Sequence, residues 1–151
     1  MEAPAKEQPK SQPQLIVSIG PHVRAGESTA KIMWTVNAAL LPAALMSVYY
    51  FGLPAALVIA VSIVTAVVTE SAILKMLHKE IAVADGSAFL TGLLIAMNCP
   101  ANIPLHIPAI GTFVAIAITK QLFGGLGYNV FNPALIGRAL ILISFPKAMT
   151  T

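Results

Sequence analysis

The chain has 151 residues, of which 57% are hydrophobic and only 10% are charged, and its formal net charge is +3. A soluble domain carries about 25% charged residues, so this composition excludes an ordinary soluble protein and predicts an integral membrane protein. Lys6, Lys10, Arg24 and Lys31 all precede the first apolar run. That pattern is typical of the positive-inside bias of cytoplasmic segments, and it does not indicate a nucleic-acid-binding surface.

The N-terminal region is polar. Residues 1–14 are rich in Pro, Gln, Lys and Glu, which predicts a disordered cytoplasmic tail rather than a signal peptide. Residues 15–151 are interpreted as the membrane domain. The single cysteine, Cys99, excludes an intramolecular disulfide. His22 and His106 have no partner at a ligand spacing, so no metal site is expected.

Two long apolar runs come next. Residues 32–51 have about the 20 residues that a bilayer crossing needs. Residues 53–74 form the second predicted span, which ends on Lys75, His78 and Lys79. These cations place that end on the same side of the membrane as the N-terminal tail, so we expect an antiparallel pair.

The third apolar run is short. Asp85 and Ser87 are candidates for the N-cap of a helix that begins there. Residues 88–97 are too few to cross a bilayer, and residues 98–104 break the run with Asn and Pro. A half-helix that enters from the cytoplasmic side is the simplest interpretation. The alternative is one part of a longer, kinked span.

Two further runs complete the chain. Residues 105–119 form a predicted span that ends at Lys120, and residues 133–145 form another that stops at Pro146. Pro133 suits a first helical turn, because its missing N–H would be unpaired there in any case. We therefore expect an all-α membrane protein with four to five transmembrane or half-membrane helices, at least one of them interrupted.

Charged residues inside these runs are candidates for function. An intramembrane carboxylate is costly and is by default a functional candidate, which singles out Glu70. The alternative is that Glu70 snorkels to the interface or pairs with Lys75 or Lys79. Arg138 keeps its charge inside an apolar run, so it needs a carboxylate, a carbonyl cluster or an anionic ligand.

The most informative stretch is Lys-Gln-Leu-Phe-Gly-Gly-Leu-Gly-Tyr-Asn-Val-Phe-Asn-Pro-Ala at 120–134. Glycine lets a backbone turn or approach closely, and asparagine offers side-chain hydrogen bonds. Between two apolar runs they predict a broken, polar-lined element. One interpretation is a backbone cradle for a flat cofactor or a polar solute. The other is that the glycines allow close helix packing and the asparagines cap helices.

The same stretch carries a family resemblance. The sequence resembles the D subunit of the Rnf electron-transport complex, which is related to the B subunit of the sodium-pumping NADH:quinone reductase. The matching residues are 120–137, the Ser-Ile-Gly-Pro-His at 18–22, Glu70 with the Leu-Lys at 74–75, the Asp-Gly-Ser-Ala-Phe-Leu-Thr-Gly-Leu-Leu at 85–94, and the Ile-Ser-Phe-Pro at 143–146.

The resemblance implies a multi-pass flavoprotein of the prokaryotic inner membrane, with a cytoplasmic N-terminus. It would relay electrons in a complex that links ferredoxin and NAD to a sodium or proton gradient, with other membrane and flavoprotein subunits as partners. The implied fold is one repeat of a urea-channel-like two-repeat fold. The implied cofactor is FMN on a threonine expected beyond residue 151, and riboflavin is a second flavin that the family allows.

The resemblance also assigns candidate site residues. Glu70 is the candidate for ion coupling, and no catalytic residue is assigned. Five residues are expected to form the flavin site or its packing backbone: Gly124, Gly125, Gly127, Asn129 and Asn132. The alternative function is a solute channel or transporter built on the same broken-helix repeat, with Thr91 and Asn98 lining the path.

Overall fold

The structure, a computed structural model, describes residues 28–78, 83–125 and 127–150. Within these ranges the regular elements are all helical, which confirms the all-α prediction for that part of the chain. They are α1 (Thr29–Phe51), α2 (Leu53–Met76), a 3₁₀ turn (Val83–Asp85), α3 (Ser87–Met97), α4 (His106–Val114), a π-helical segment (Ala115–Gln121), α5 (Pro133–Ser144) and α6 (Pro146–Thr150).

The two predicted spans form the helices α1 and α2, with 23 and 24 residues, and by length and composition both are apolar enough to cross a membrane. α1 begins after Ser28, whose Oγ accepts a hydrogen bond from the Lys31 backbone N–H at 3.3 Å. Gly52, with φ of +70°, separates α1 from α2, and Pro54 follows in the first turn of α2. This short connection makes the two helices neighbours.

Large apolar side chains remain exposed along α1 and α2. Leu45 is 67% exposed, Val64 is 59% exposed and Tyr49 is 79% exposed. An apolar surface of this kind is normally covered by lipid or by another protein. The exposed faces of these helices are therefore suited to a membrane.

The short helix α3 crosses α2 at very close range. A Cβ atom added at Gly92 would lie 2.8 Å from the Cα of Ile63 and 2.8 Å from the carbonyl oxygen of Ser62. Glycine is required at this crossing because the two backbones almost touch. A second close approach joins α4 and α5, where a Cβ atom at Gly137 would lie 2.7 Å from the Gly111 carbonyl oxygen.

The start of α3 differs from the prediction. Its N-cap is Gly86, with a left-handed φ of +76°, and neither Asp85 nor Ser87 occupies that position. Asp85 instead lies one residue earlier, where its Oδ1 accepts from the Ser87 backbone N–H at 2.9 Å. The glycine takes the cap because a left-handed backbone favours a residue without a Cβ atom.

The break after α3 is present. α3 ends at Met97 and α4 begins only at His106, so the short run is a separate element and not the first part of one kinked helix. The predicted span at 105–119 extends to Gln121, because its second half continues as the π-helical segment. α5 ends at Ser144, and Pro146 begins a further short helix.

The buried core lies where α2, α3, α4 and α5 meet, and its members are Val58, Ile95, Ala96, Ile103, Ile107, Ala115, Ala134 and Ile141. A second, smaller cluster contains Ala66, Ala88 and Ile116. It lies where α2, the start of α3 and the π-helical segment meet. The predicted tail at residues 1–14 and the motif at 18–22 lie outside the described residues.

Candidate functional site

A buried ion pair lies between α2 and the π-helical segment. Lys120 Nζ is 2.6 Å from Glu70 Oε1, and only 2% of Lys120 and 3% of Glu70 are exposed. Gln121 Nε2 donates to the same carboxylate oxygen at 2.9 Å. The two donors neutralise and orient a carboxylate that would be costly to bury alone.

This geometry bears on the alternative interpretation of Glu70, in which the carboxylate snorkels to the interface or pairs with Lys75 or Lys79. The carboxylate does not snorkel, because its side chain is almost fully buried. Lys75, one of its expected partners, is exposed, and Lys79 lies outside the described residues. The partner is instead Lys120, which is distant in sequence and is brought to α2 by the π-helical segment.

The ion pair extends to the start of α3. Lys120 Nζ also donates to Ser87 Oγ at 2.6 Å, and Ser87 Oγ donates to Asp85 Oδ1 at 2.7 Å. Three chain segments thus share one hydrogen-bonded network: the end of α2, the start of α3 and the π-helical segment. We call Asp85, Ser87, Glu70, Lys120 and Gln121 the ionic network.

The π-helical segment turns consecutive polar residues inward. Thr119, Lys120 and Gln121 are all buried, at 3%, 2% and 7% exposure. Its wider winding ends with the Leu122 N–H donating to the Ala117 carbonyl at 3.2 Å, five residues back. π-Helical turns are rare and frequently occur at functional sites. Here the turn delivers both donors to one carboxylate.

One oxygen of the network has no partner. Glu70 Oε2 is buried and accepts no hydrogen bond from any residue that the structure describes. A buried carboxylate oxygen left without a donor is energetically costly, and each such group needs an explanation. Water, a cation or a ligand group would satisfy it.

α1 holds the turn that precedes α3. Trp34 Nε1 donates to the Ala84 carbonyl at 3.0 Å, and Asn37 Nδ2 donates to the Gly86 carbonyl at 3.1 Å. Asn37 is itself only 2% exposed. These two bonds hold the approach to Ser87 in place, and they explain a polar side chain in the middle of an apolar helix.

A cavity of about 370 Å³ borders the ionic network. Its polar lining residues are Ser87, Thr91, Lys120, Asn129 and Asn132, and its apolar lining residues are Met33, Leu90, Leu94, Val130, Phe131 and Pro133. Ligand sites are usually apolar clefts of about 300–1,000 Å³ with a few placed polar groups. This cavity has that size and that lining.

The structure separates the predicted site residues into two groups. Asn129 and Asn132 line the cavity, whereas the three glycines at 124, 125 and 127 do not. All three glycines have positive φ angles, between +92° and +109°, which other residues adopt only with strain. Their role in this structure is to form the loop that brings the asparagines to the cavity.

Both asparagines also support the backbone. Asn132 Oδ1 accepts from the Ala134 N–H at 3.0 Å and caps α5. Asn129 Nδ2 donates to the Phe131 carbonyl at 2.9 Å. The loop is tied to the ionic network through the Lys120 carbonyl, which accepts from the Gly125 N–H at 3.0 Å.

The other end of α3 carries a different polar cluster. Arg138 is exposed on α5, and its Nη1 donates to Asn98 Oδ1 at 3.0 Å. Asn98 Nδ2 donates in turn to the Leu94 carbonyl at 2.7 Å. Among the described residues Arg138 contacts the neutral amide of Asn98, so the expectation that it needs a carboxylate, a carbonyl cluster or an anion stays a prediction.

A second cavity, of about 390 Å³, lies at that end, beside Cys99. Its lining includes Phe51, Val58 and Met97 from three different helices. His106 is exposed, and its ring lies 6.3 Å from that of Phe145. Among the described residues, no group of three or more His, Cys, Asp and Glu side chains could hold a metal ion.

Sequence reasoning missed Lys120 and Ser87 as members of the site. Both residues lie in segments that carry the family resemblance, but Lys120 was given no role beyond ending an apolar run and Ser87 none beyond capping a helix. The available signal was charge balance: Glu70 needed a buried cation, and Lys120 stands between an apolar run and a glycine loop with no carboxylate near it in sequence.

Comparison with known proteins supplies the family context. The sequence matches the model of the NQR2, RnfD, RnfE family over residues 16–151. It is 55% identical over 135 residues to the D subunit of the proton-translocating ferredoxin:NAD(+) oxidoreductase complex of Clostridium ljungdahlii. It is 50% identical over 137 residues to the D subunit of the Na(+)-translocating ferredoxin:NAD(+) oxidoreductase complex of Acetobacterium woodii.

A third relative is the D subunit of the ion-translocating oxidoreductase complex of Rhodobacter capsulatus, which is 45% identical over 134 residues. These matches cover 89%, 91% and 87% of the chain in the order given. They cover only 41%, 43% and 37% of the three relatives. The chain therefore spans about two fifths of the length of the curated relatives it matches.

Proposed function

The chain belongs to the NQR2, RnfD, RnfE family, and we propose that it forms part of the D subunit, a membrane subunit, of an ion-translocating ferredoxin:NAD oxidoreductase complex. The observation that carries the proposal is the 55% identity to such a subunit over 89% of the chain. The helices α1 and α2, with their exposed apolar faces, fit a membrane subunit of this kind.

The proposed cofactor is a flavin, and the residues present fit one. The cavity of about 370 Å³ combines apolar walls with polar groups from Lys120, Asn129 and Asn132. Leu94 and Phe131 would pack on a flat ring, and the asparagine amides and the Lys120 ammonium would hold its polar edge. A bound flavin supplies the electron-transfer chemistry. For FMN, the covalent bond would involve a threonine beyond residue 151; riboflavin would need none.

The glycine loop supports this proposal indirectly. Its positive φ angles at Gly124, Gly125 and Gly127 form the loop that places Asn129 and Asn132 on the cavity wall. A residue with a Cβ atom would strain the loop, so the glycines act as packing backbone for the site. The sequence predicted two roles for these glycines, as part of the flavin site or as its packing backbone, and this is the second.

Glu70 is the proposed ion-coupling residue. It is a buried carboxylate in an apolar helix, it is paired with Lys120, and its Oε2 is unsatisfied among the described residues. Buried ionisable groups in membrane helices mark ion pathways and proton relays. Relatives at 55% and 50% identity are named for protons and for sodium ions respectively, so the proposal includes either ion as the one that is coupled.

The proposed setting is the prokaryotic inner membrane, with a cytoplasmic N-terminus and with the other membrane and flavoprotein subunits of the complex as partners. The exposed apolar side chains of α5, Leu135, Leu142 and Ile143, are suited to contact with lipid or with such a partner. The urea-channel-like two-repeat architecture is likewise proposed, and the interruption between α3 and α4 supports it.

The alternative function, a solute channel lined by Thr91 and Asn98, receives less support. Thr91 lines the cavity at the start of α3, and its Oγ1 donates to the Ser87 carbonyl at 2.9 Å. Asn98 lies at the opposite end of α3 and is bonded to Arg138 and Leu94. The two side chains therefore do not share one cavity among the described residues.

The test of the proposed function is covalent flavin on the full-length subunit. The complex that contains this chain is purified, denatured and separated by electrophoresis. The proposal predicts flavin fluorescence on this subunit, together with ferredoxin-dependent NAD reduction by the intact complex. A colourless full-length protein that conducts a solute would contradict it.

A further inference from the structure

We infer that Lys120 is a tethered cation that competes with a sodium ion for the carboxylate of Glu70. The inference rests on the proposed ion-coupling role of Glu70 and adds the element that regulates it. Both side chains are almost fully buried, and the ammonium lies 2.6 Å from Oε1. It takes the position that a mobile cation would need.

The network carries an excess of negative charge. Its two carboxylates, Glu70 and Asp85, face one ammonium, that of Lys120, and the three are linked through Ser87 Oγ. Asp85 is only partly buried, but Glu70 is 3% exposed. The network therefore keeps one net negative charge, which attracts a further monovalent cation to Glu70 while the ammonium is still in place.

The unsatisfied carboxylate oxygen of Glu70 also indicates a cation as the ligand. Both donors of Glu70, Lys120 Nζ and Gln121 Nε2, contact Oε1, while Oε2 is buried and has no partner within the described ranges. Oxygen ligands from carboxylates, hydroxyls and amides suit a hard cation. Glu70, Ser87 and Gln121 offer one of each.

The displaced ammonium has a place to go. Lys120 lines the cavity of about 370 Å³, which also presents the amides of Asn129 and Asn132. A lysine has a flexible four-carbon stem with rotatable donors, so its head can leave Glu70 for the polar wall of this cavity, where the proposed flavin would receive it at its polar edge. A sodium ion that enters at the free Oε2 and then binds both carboxylate oxygens would take the place of the ammonium.

The test is equilibrium binding of radiolabelled sodium ions to the purified, full-length complex, with choline chloride to keep ionic strength constant. The Glu70→Gln variant defines the site: the sodium binding that is present in the wild type and lost in this variant is assigned to Glu70. Lys120→Gln, which removes the competing charge and keeps an amide donor, should raise the affinity for that sodium at least tenfold. The matched control Lys75→Gln, at an exposed position near the end of α2, should leave it unchanged.

A second variant keeps the test decisive if Lys120→Gln fails to assemble. Lys120→Arg replaces a point charge by a fork that binds carboxylates with two hydrogen bonds, so it should lower the sodium affinity. The inference is overturned if Glu70→Gln removes no sodium binding, or if any Lys120 variant that assembles binds sodium with the affinity of the wild type. Binding is measured without electron transfer, so loss of flavin or of turnover would count against the proposed function alone.

Discussion

The two ends of α3 both join polar residues beside a cavity of similar size, about 370 and 390 Å³, yet they differ in burial. At the N-terminal end, Lys120 and Glu70 are buried and paired. At the C-terminal end, Arg138 is exposed and contacts the neutral amide of Asn98. Burial makes charge expensive unless it is paired, so the first end depends on its ion pair and the second does not.

The largest expected effect on stability comes from removing the buried cation, and it distinguishes the two ends of α3 directly. Lys120→Met leaves the Glu70 carboxylate buried without its cation, which costs about 3–5 kcal/mol for a broken buried pair. Arg138→Met removes only an exposed hydrogen bond and should change stability far less. Thermal unfolding of the solubilised complex measures both. Equal loss in the two variants would remove the distinction between the ends.

A smaller effect on stability is expected at the middle of α3. The close contact with α2 at this point fixes the distance of both ends of α3 from α2. Gly92→Ala would place a Cβ atom 2.8 Å from the Ile63 Cα. Overpacking of this kind costs about 1–3 kcal/mol. The same unfolding assay applies, with Leu90→Ile as a volume-matched control on the same helix. Wild-type stability of Gly92→Ala would show that α3 and α2 are less closely packed.

The smallest of the three effects concerns the loop beside the N-terminal cavity. Asn132→Ala removes the oxygen that caps α5, which costs about 1 kcal/mol. Asn132→Gly is the control, because glycine at an N-cap loses only a few tenths of a kcal/mol relative to asparagine. If the flavin content of the complex falls in both variants while stability falls only in the first, the asparagine amide also contacts the cofactor.

The helices of this chain could be predicted closely from sequence. Apolar runs with Gly and Pro at their ends set α1, α2, α3 and α5 to within a few residues of their bounds. The π-helical segment could not be predicted, because its winding depends on which carbonyl each N–H finds in the folded chain. The left-handed cap at Gly86 was missed for a related reason: Asp85 and Ser87 are both good capping residues, and the backbone angle decided between them.

The site was harder to predict than the fold. Glu70 was identified correctly as an unusual residue, but its partner lies fifty positions away in sequence, and sequence spacing favoured the nearby Lys75. Arg138 was predicted to lie inside an apolar run, but such a run does not show which face of its helix points outward, and the structure places Arg138 on an exposed face beside Asn98. Asn129 and Asn132 were placed in the candidate site, and the structure adds the cavity wall that they share with Lys120.

The central claim is that the buried end of α3 couples ion movement to electron transfer through Glu70. The most direct measurement is ion uptake by proteoliposomes that contain the full-length complex with Glu70→Gln, compared with wild type at equal ferredoxin-dependent NAD reduction. Glutamine keeps an acceptor for Lys120 and removes the charge. The account predicts that electron transfer continues while ion uptake per electron falls. Unchanged ion uptake in a fully assembled complex would contradict it and would make Glu70 a structural partner of Lys120.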